Sequence, residues 1–235
     1  MAKTKKNEFD IDVEEMMQAG VHLGHRISKL HPKMRQFLLG VRNTVHIIDL
    51  EKTAKQLEEA LKFISEVCKK KGNLLLVGTK IPLRNLVKAT AEDCNLPYVT
   101  ERWLGGTFTN FKVIQERIKY FRELEQKKKE GGLQNYTKKE RIKIEKELAT
   151  LERKFGGIKN MEKIPEAVFI CDIVKDDLVL REAKVKGVKV VAIIDTNADP
   201  SLVDYPIAAN DDAINSVKYI LEKVKEVVLK AKVKT

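Results

Sequence analysis

Short apolar runs rich in β-branched residues recur along the chain at 45–48, 74–77, 98–99, 167–171 and 188–194. Uninterrupted runs of this kind suit strands buried on both faces, so the sheet they form must be covered on both sides. Amphipathic stretches over 50–71, 82–94, 178–186 and 211–230 supply that cover. Such alternation belongs to a parallel sheet with right-handed crossovers and predicts a doubly wound α/β layer. A short helix is expected ahead of the first strand, with Asp12 and Glu15 as a capping box and Gly20 at its end. Residues 21–44 include His22, Gly24, His25, His31, Pro32 and Gly40, lack a clear period, and read as an irregular basic loop.

One segment breaks the alternation. Phe111, Ile114, Ile118 and Phe121 are spaced three, four and three apart, and Ile144, Leu148, Leu151 and Phe155 four, three and four. That is the narrow stripe of a coiled-coil seam. Gly131 and Gly132 break the first helix, Thr137 with Glu140 caps the second, and Gly156-Gly157 returns the chain. Residues 111–156 are therefore expected to form an antiparallel coiled-coil hairpin inserted into an α/β domain made of 1–110 and 157–235.

With 235 residues, 43% of them hydrophobic, the chain can bury a substantial core. No stretch approaches the ~18 uninterrupted apolar residues of a membrane helix. The basic start MAKTKKNEFD runs into Asp10, Asp12, Glu14 and Glu15 rather than an apolar segment, so no secretory signal is read and the cytoplasm is the expected location. Cys68, Cys94 and Cys171 are odd in number, far apart and outside any C-x-x-C, which argues against disulfides and against a cysteine zinc site. A net charge of +11 favours a polyanionic partner, either nucleic acid or an anionic membrane. Between 112 and 154 there are 14 basic and 8 acidic residues. That surplus points to RNA contact, while the plainer alternative is a solvated outer face with Glu–Lys pairs.

Other constellations have competing readings. Val77-Gly78-Thr79-Lys80 follows a strand and could offer amides and a lysine to a phosphate, or could be a tight turn with Pro82 at the next helix start. Asp172 and Asp195 end strand runs where α/β sheets place ligands, so a nucleotide-binding or phosphoryl-transfer enzyme acting at Gly78, Lys80, Asp172 and Asp195 is the rival reading. No nucleophile, base or glycine cradle accompanies them, and no catalytic residue is expected. Trp103 and Phe108 could stack on an unpaired base or anchor the root of the hairpin. His22 and His25, with Asp195, Asp199, Asp204, Asp211 and Asp212, are ligand types that suit zinc, although no spacing brings the two groups together.

The motifs AGVHLGH (19–25), HPKM (31–34), VHIIDLEKT (45–53), LVGTK (76–80), RWLGG (102–106), GGIK (156–159), IDTNADP (194–200) and NDDAI (210–214) resemble, in order, the bacterial small-subunit ribosomal protein S2 family. The resemblance covers about residues 9–230 and implies a Rossmann-like, flavodoxin-like sheet with a protruding coiled-coil hairpin. It further implies a structural role without catalysis, on the solvent side of the small ribosomal subunit near the head–body junction, in contact with ribosomal RNA and neighbouring ribosomal proteins. The RNA-binding residues expected are Lys29, Lys33, Arg35 and Arg42, then Arg102 and Trp103, then Lys127, Lys128, Lys129, Lys138, Lys139 and Arg141 in the hairpin. In some relatives the protein supports docking of the large RNA-binding protein S1, and zinc is associated with that surface. His22, Asp195, Asp211 and Asp212 are its candidate ligands here, with no cofactor as the primary expectation. His31 stands where the family leads one to expect asparagine, and the acidic C-terminal tail of some members has no counterpart in this sequence.

Overall fold

The computed structural model describes residues 9–130, 132 and 136–233. The Asp12 carboxylate accepts the Glu14 N–H at 2.7 Å and starts α1 (Val13–Gln18), one residue earlier than the expected box with Glu15. Gly20, at φ +77°, turns the chain beyond it.

Residues 21–44 depart from the sequence reading. They contain β1 (Leu23–Arg26) and β2 (Leu38–Arg42), which pair antiparallel on either side of β3 (Val45–Ile48). The run 45–48 thus belongs to a separate three-stranded sheet. Asn43 and Thr44, between β2 and β3, both have positive φ, 48° and 66°, as a two-residue hairpin turn requires. Asn-Thr lacks the glycine by which such a turn is usually read. Nearly all of β2 is exposed, so it carries no apolar alternation.

The helices that follow are α2 (Leu50–Lys69), α3 (Arg84–Asp93), α4 (Phe111–Lys129), α5 (Lys138–Phe155), α6 (Asp177–Lys186) and α7 (Ile214–Val233). Between and around them run β4 (Leu74–Val77), β5 (Tyr98–Val99), β6 (Ala167–Ile170), β7 (Lys189–Ile194) and β8 (Tyr205–Ala208), all parallel, in the order β5-β4-β6-β7-β8. Alternation along the strands divides the core. Leu74, Leu76 and Phe169 join Leu57, Leu61, Val87, Ile220 and Val224 from α2, α3 and α7 on one face. Leu75, Val77, Val168 and Ile170 join Phe108, Phe121, Phe155, Val179 and Leu180 on the other. The sequence reading has no counterpart of β8. Pro206 hides it, because a proline cannot donate to a ladder and is tolerated only at a sheet edge, where β8 lies.

Ile114, Ile118, Phe121 and Leu124 of α4 and Leu148 and Phe155 of α5 are buried in the second cluster, with Ile144 and Leu151 packed against it. Thr137 and Glu140 make the expected capping box. The Gly131 half of the expected glycine break lies outside the described residues. At the far end, a Cβ on Gly157 would lie 2.2 Å from the Tyr98 carbonyl oxygen, so only glycine lets the end of α5 meet β5. Gly157→Ala must therefore displace backbone, at a cost of about 1–3 kcal/mol in urea unfolding. An unchanged midpoint would show that the approach is dispensable. Among the described residues, no helix is long and apolar enough to cross a membrane.

Candidate nucleic-acid interface

Where α4 ends and α5 begins, Lys127, Lys128, Lys129, Lys138, Lys139 and Arg141 are all exposed. Lys129 pairs with Glu125 at 3.4 Å and Arg141 donates to the Tyr136 carbonyl at 3.2 Å. Lys127, Lys128, Lys138 and Lys139 make no side-chain hydrogen bond or ion pair among the described residues. Exposed lysines with no internal counter-ion keep their full charge available to a phosphate strand. Lys29, Arg35 and Arg42, on or beside the antiparallel sheet, are also exposed and unpaired among the described residues, as is Arg102.

Two expected contacts are placed otherwise. The Lys33 ammonium lies 2.8 Å from Asp199 and 2.6 Å from Ser201, and this partner holds the Asp199 carboxyl well below the usual range. Its charge is answered inside the chain. Trp103 is 5% exposed and meets Phe108 edge-on, with ring centroids 4.8 Å apart. It is an anchor within the core, with no open face for a base.

The anchor is fixed by Glu182 of α6. This buried carboxylate accepts the N–H groups of Gly106, Phe108 and Thr109 at 2.7, 2.9 and 3.2 Å, and the Trp103 indole N–H at 3.4 Å. Burial alone would raise its pKa, but these donors outweigh burial and lower it. The loop that leads into α4 is thereby wrapped around a single anion. Nothing in the periodicity of α6 marks Glu182 for this role, and the Gly105-Gly106 pair is the only hint that backbone must come close.

The carboxyl ends of the parallel strands hold a second network. Gly78 N–H donates to Val99 O at 3.0 Å, and the Thr79 N–H and hydroxyl donate to Asp176 at 3.3 and 2.7 Å. A Cβ on Gly78 would lie 2.7 Å from Val87, so its glycine serves close packing of α3. The Lys80 ammonium sits 2.9 Å from Asp172, 2.8 Å from Asp211 and 2.8 Å from Asp212. Burial works against its charge, but the three carboxylates raise its pKa well above the ordinary lysine value. The Gly78 N–H, the Thr79 N–H and hydroxyl and the Lys80 ammonium, which a phosphate-binding turn would offer, are thus engaged within the protein itself.

His25, rather than His22, joins the aspartates. Its Nδ1 lies 3.0 Å from Asp195 and its Nε2 3.4 Å from Asp212, and the hydrogen bond to Asp195 raises its pKa against the effect of burial. Gly24 makes this possible, since a Cβ there would lie 2.4 Å from Thr196 and the adjacent His25 N–H reaches Thr196 Oγ1 at 2.9 Å. Burial and nearby Arg42 lower the pKa of His22, which stands outside the cluster. One donor atom each from His25, Asp195 and Asp211 lie within 4.8 Å of one another. An imidazole and two carboxylates suit a borderline divalent cation in donor chemistry, while Lys80 already offsets the charge of Asp211.

The chain thus combines a parallel α/β sheet with exposed, unpaired lysines on the α4–α5 pair, and its strand-end donors are committed internally. Residues 16–231 of the 235 match the family model described as ribosomal protein S2. The chain belongs to the ribosomal protein S2 family, structural proteins of the small ribosomal subunit.

Proposed function

We propose that this protein binds small-subunit ribosomal RNA by neutralising phosphates, with residues 111–156 acting as an antiparallel coiled-coil hairpin that carries the main contact. The observation that carries this reading is the group of four exposed lysines without internal partners, Lys127, Lys128, Lys138 and Lys139, where the two helices approach the turn. Lys29, Arg35 and Arg42 extend the contact along the α/β domain formed by 1–110 and 157–235, whereas Lys33 and Trp103 hold structure and Arg102 faces the cleft beside Ile81 and Lys175 instead. In this reading the domain sits near the head–body junction and touches neighbouring ribosomal proteins, with S1 among them. Function here requires neither catalysis nor a cofactor. If zinc is bound, His25, Asp195 and Asp211 are the residues that hold it, and it supplies a fixed positive charge rather than a reaction.

Replacing Lys127, Lys128, Lys129, Lys138, Lys139 and Arg141 with Gln is expected to leave stability within about 0.5 kcal/mol of wild type, since exposed charges contribute little to it. Incorporation into small subunits, measured in competition with tagged wild type, should fall at least about tenfold, and the dependence of RNA affinity on salt should flatten. Equal incorporation at physiological salt would show that these cations are only a solvated face.

A further inference from the structure

We propose that the cleft at the carboxyl ends of β4 and β6 docks a short segment of a neighbouring protein in which a large apolar side chain adjoins a carboxylate. The inference rests on the placement of this chain within the small subunit. The cleft has a volume of about 940 Å³, and its walls include Ile81, Arg102, Gly105, Lys175 and Leu178. It opens where strand order reverses between β4 and β6, the position at which open α/β sheets take their ligands. Here the floor is closed to a small phosphate, because Thr79, Lys80 and Asp176 bond to one another or to neighbouring residues of the chain. What remains open is the rim.

That rim has two unanswered features. Ile81 is 78% exposed and Leu178 41% exposed, although both are large and apolar. Ile81 opens a 3-10 turn (Ile81–Leu83) and is followed by Pro82, so it projects from rigid backbone. Beside these residues, the Arg102 and Lys175 side chains carry positive charge with no hydrogen bond or ion pair among the described residues. The acidic rim residues differ in this respect, for Glu101 is bound by Arg84 at 2.7 Å and Asp177 by Arg181 at 2.6 Å. An apolar knob beside Arg102 and Lys175, of which only Lys175 has, among the described residues, a carboxylate near enough to feel its charge, the buried Asp176, is complementary to a side chain such as Leu or Phe next to Asp or Glu. RNA fits this cleft poorly. Four acidic side chains offset its four basic ones, and Ile81 and Leu178 give a base no aromatic plane to stack on.

The test places a photo-crosslinking residue, Ile81→p-benzoylphenylalanine, in protein assembled into small subunits that are then purified by sedimentation. Ile81 is exposed enough for the replacement to leave the core untouched. The expected product is a crosslink to a ribosomal-protein peptide that carries Asp or Glu within two residues of a large apolar residue. Its yield should fall about tenfold when Arg102→Glu and Lys175→Glu are added. Crosslinks to RNA alone, a protein crosslink indifferent to the charge reversals, or sedimenting protein without any crosslink would each overturn the docking site and leave the subunit reading standing. Wild-type protein that stays in the supernatant would overturn both.

Discussion

Lys80→Ala is expected to cost about 3–5 kcal/mol in urea unfolding at neutral pH, because it removes the counter-ion of buried carboxylates without removing the carboxylates. The side chains of Asp172 and Asp211 are only 7% and 3% exposed, and each has the ammonium within 3 Å. Water cannot replace that partner without opening the strand ends. The loss should shrink on mild acidification. Burial, reinforced by neighbouring Asp172, pushes the Asp211 carboxyl up to about 7 even with Lys80 in place. A raised folded-state value means that the native protein binds this proton more tightly than the unfolded chain, so the contribution is complete below the ordinary aspartate range and fades as pH rises through 7. Without Lys80 the shift grows, and stability of the variant should rise between pH 8 and pH 5. Adding Asp211→Asn should recover part of the loss. A loss below about 1 kcal/mol with no pH dependence would mean that the network is far more hydrated than its geometry states.

Glu182→Gln is expected to lose about 2–4 kcal/mol, even though the two side chains have nearly the same shape. The carboxylate accepts from three backbone N–H groups, the Thr109 hydroxyl and one indole. A carboxamide turns one acceptor into a donor that faces other donors, which leaves buried N–H groups without partners. The pH dependence has the opposite sense to that of Asp211. The Glu182 pKa is lowered in the native state, so its contribution is present above the ordinary glutamate value near 4.5 and is lost as pH falls through the lowered one. The variant should therefore show a shallower acid limb than wild type. Limited proteolysis separates local from global effects, because cleavage should concentrate in residues 103–110 and α4 should detach from α6 before the sheet unfolds. Wild-type resistance of that loop in the variant would mean that the Trp103–Phe108 contact alone suffices.

Most of the parallel layer was legible because its strands are buried on both faces. Leu74–Val77 and Ala167–Ile170 contain no polar residue, and such runs need no knowledge of their neighbours to be read. The apolar stripes of α4 and α5 were legible for a similar reason, since packing into the second core cluster imposes spacing on the residues that enter it. The antiparallel sheet was not. β2 is exposed along almost its whole length and turns through Asn43-Thr44, so neither alternation nor glycine announces it. β8 was masked by Pro206, whose meaning depends on its edge position, a tertiary fact. The candidate sites divide along the same line. The lysines of α4 and α5 proposed to contact RNA stand out by their local density, which is visible in the sequence. His25 reaches Asp195 only because β1 crosses the end of β7 at Gly24, and a histidine pair three apart gives no sign of which member makes the crossing. Glu182 is buried and Lys80 half-buried, and the partners of both charges lie more than 70 residues away, beyond the reach of any local pattern.

The packing of α2 against α7 and β8 sets a timetable for synthesis. Leu57, Leu61 and Ile64 of α2 share their cluster with Val217, Ile220, Leu221 and Val224 of the last helix. Asp10 meets the last helix as well, where Lys223 donates to its carbonyl at 2.9 Å. A nascent chain presents α2 early but receives its cover only when residues 214–233 have left the exit tunnel, on the order of ten seconds later at ordinary elongation rates. During that interval the part of this apolar face that α7 covers stays open to water. A chain truncated before residue 214 is therefore expected to leave Leu57, Leu61 and Ile64 without their cover and to aggregate where the full chain stays dispersed, which light scattering of the two would read out.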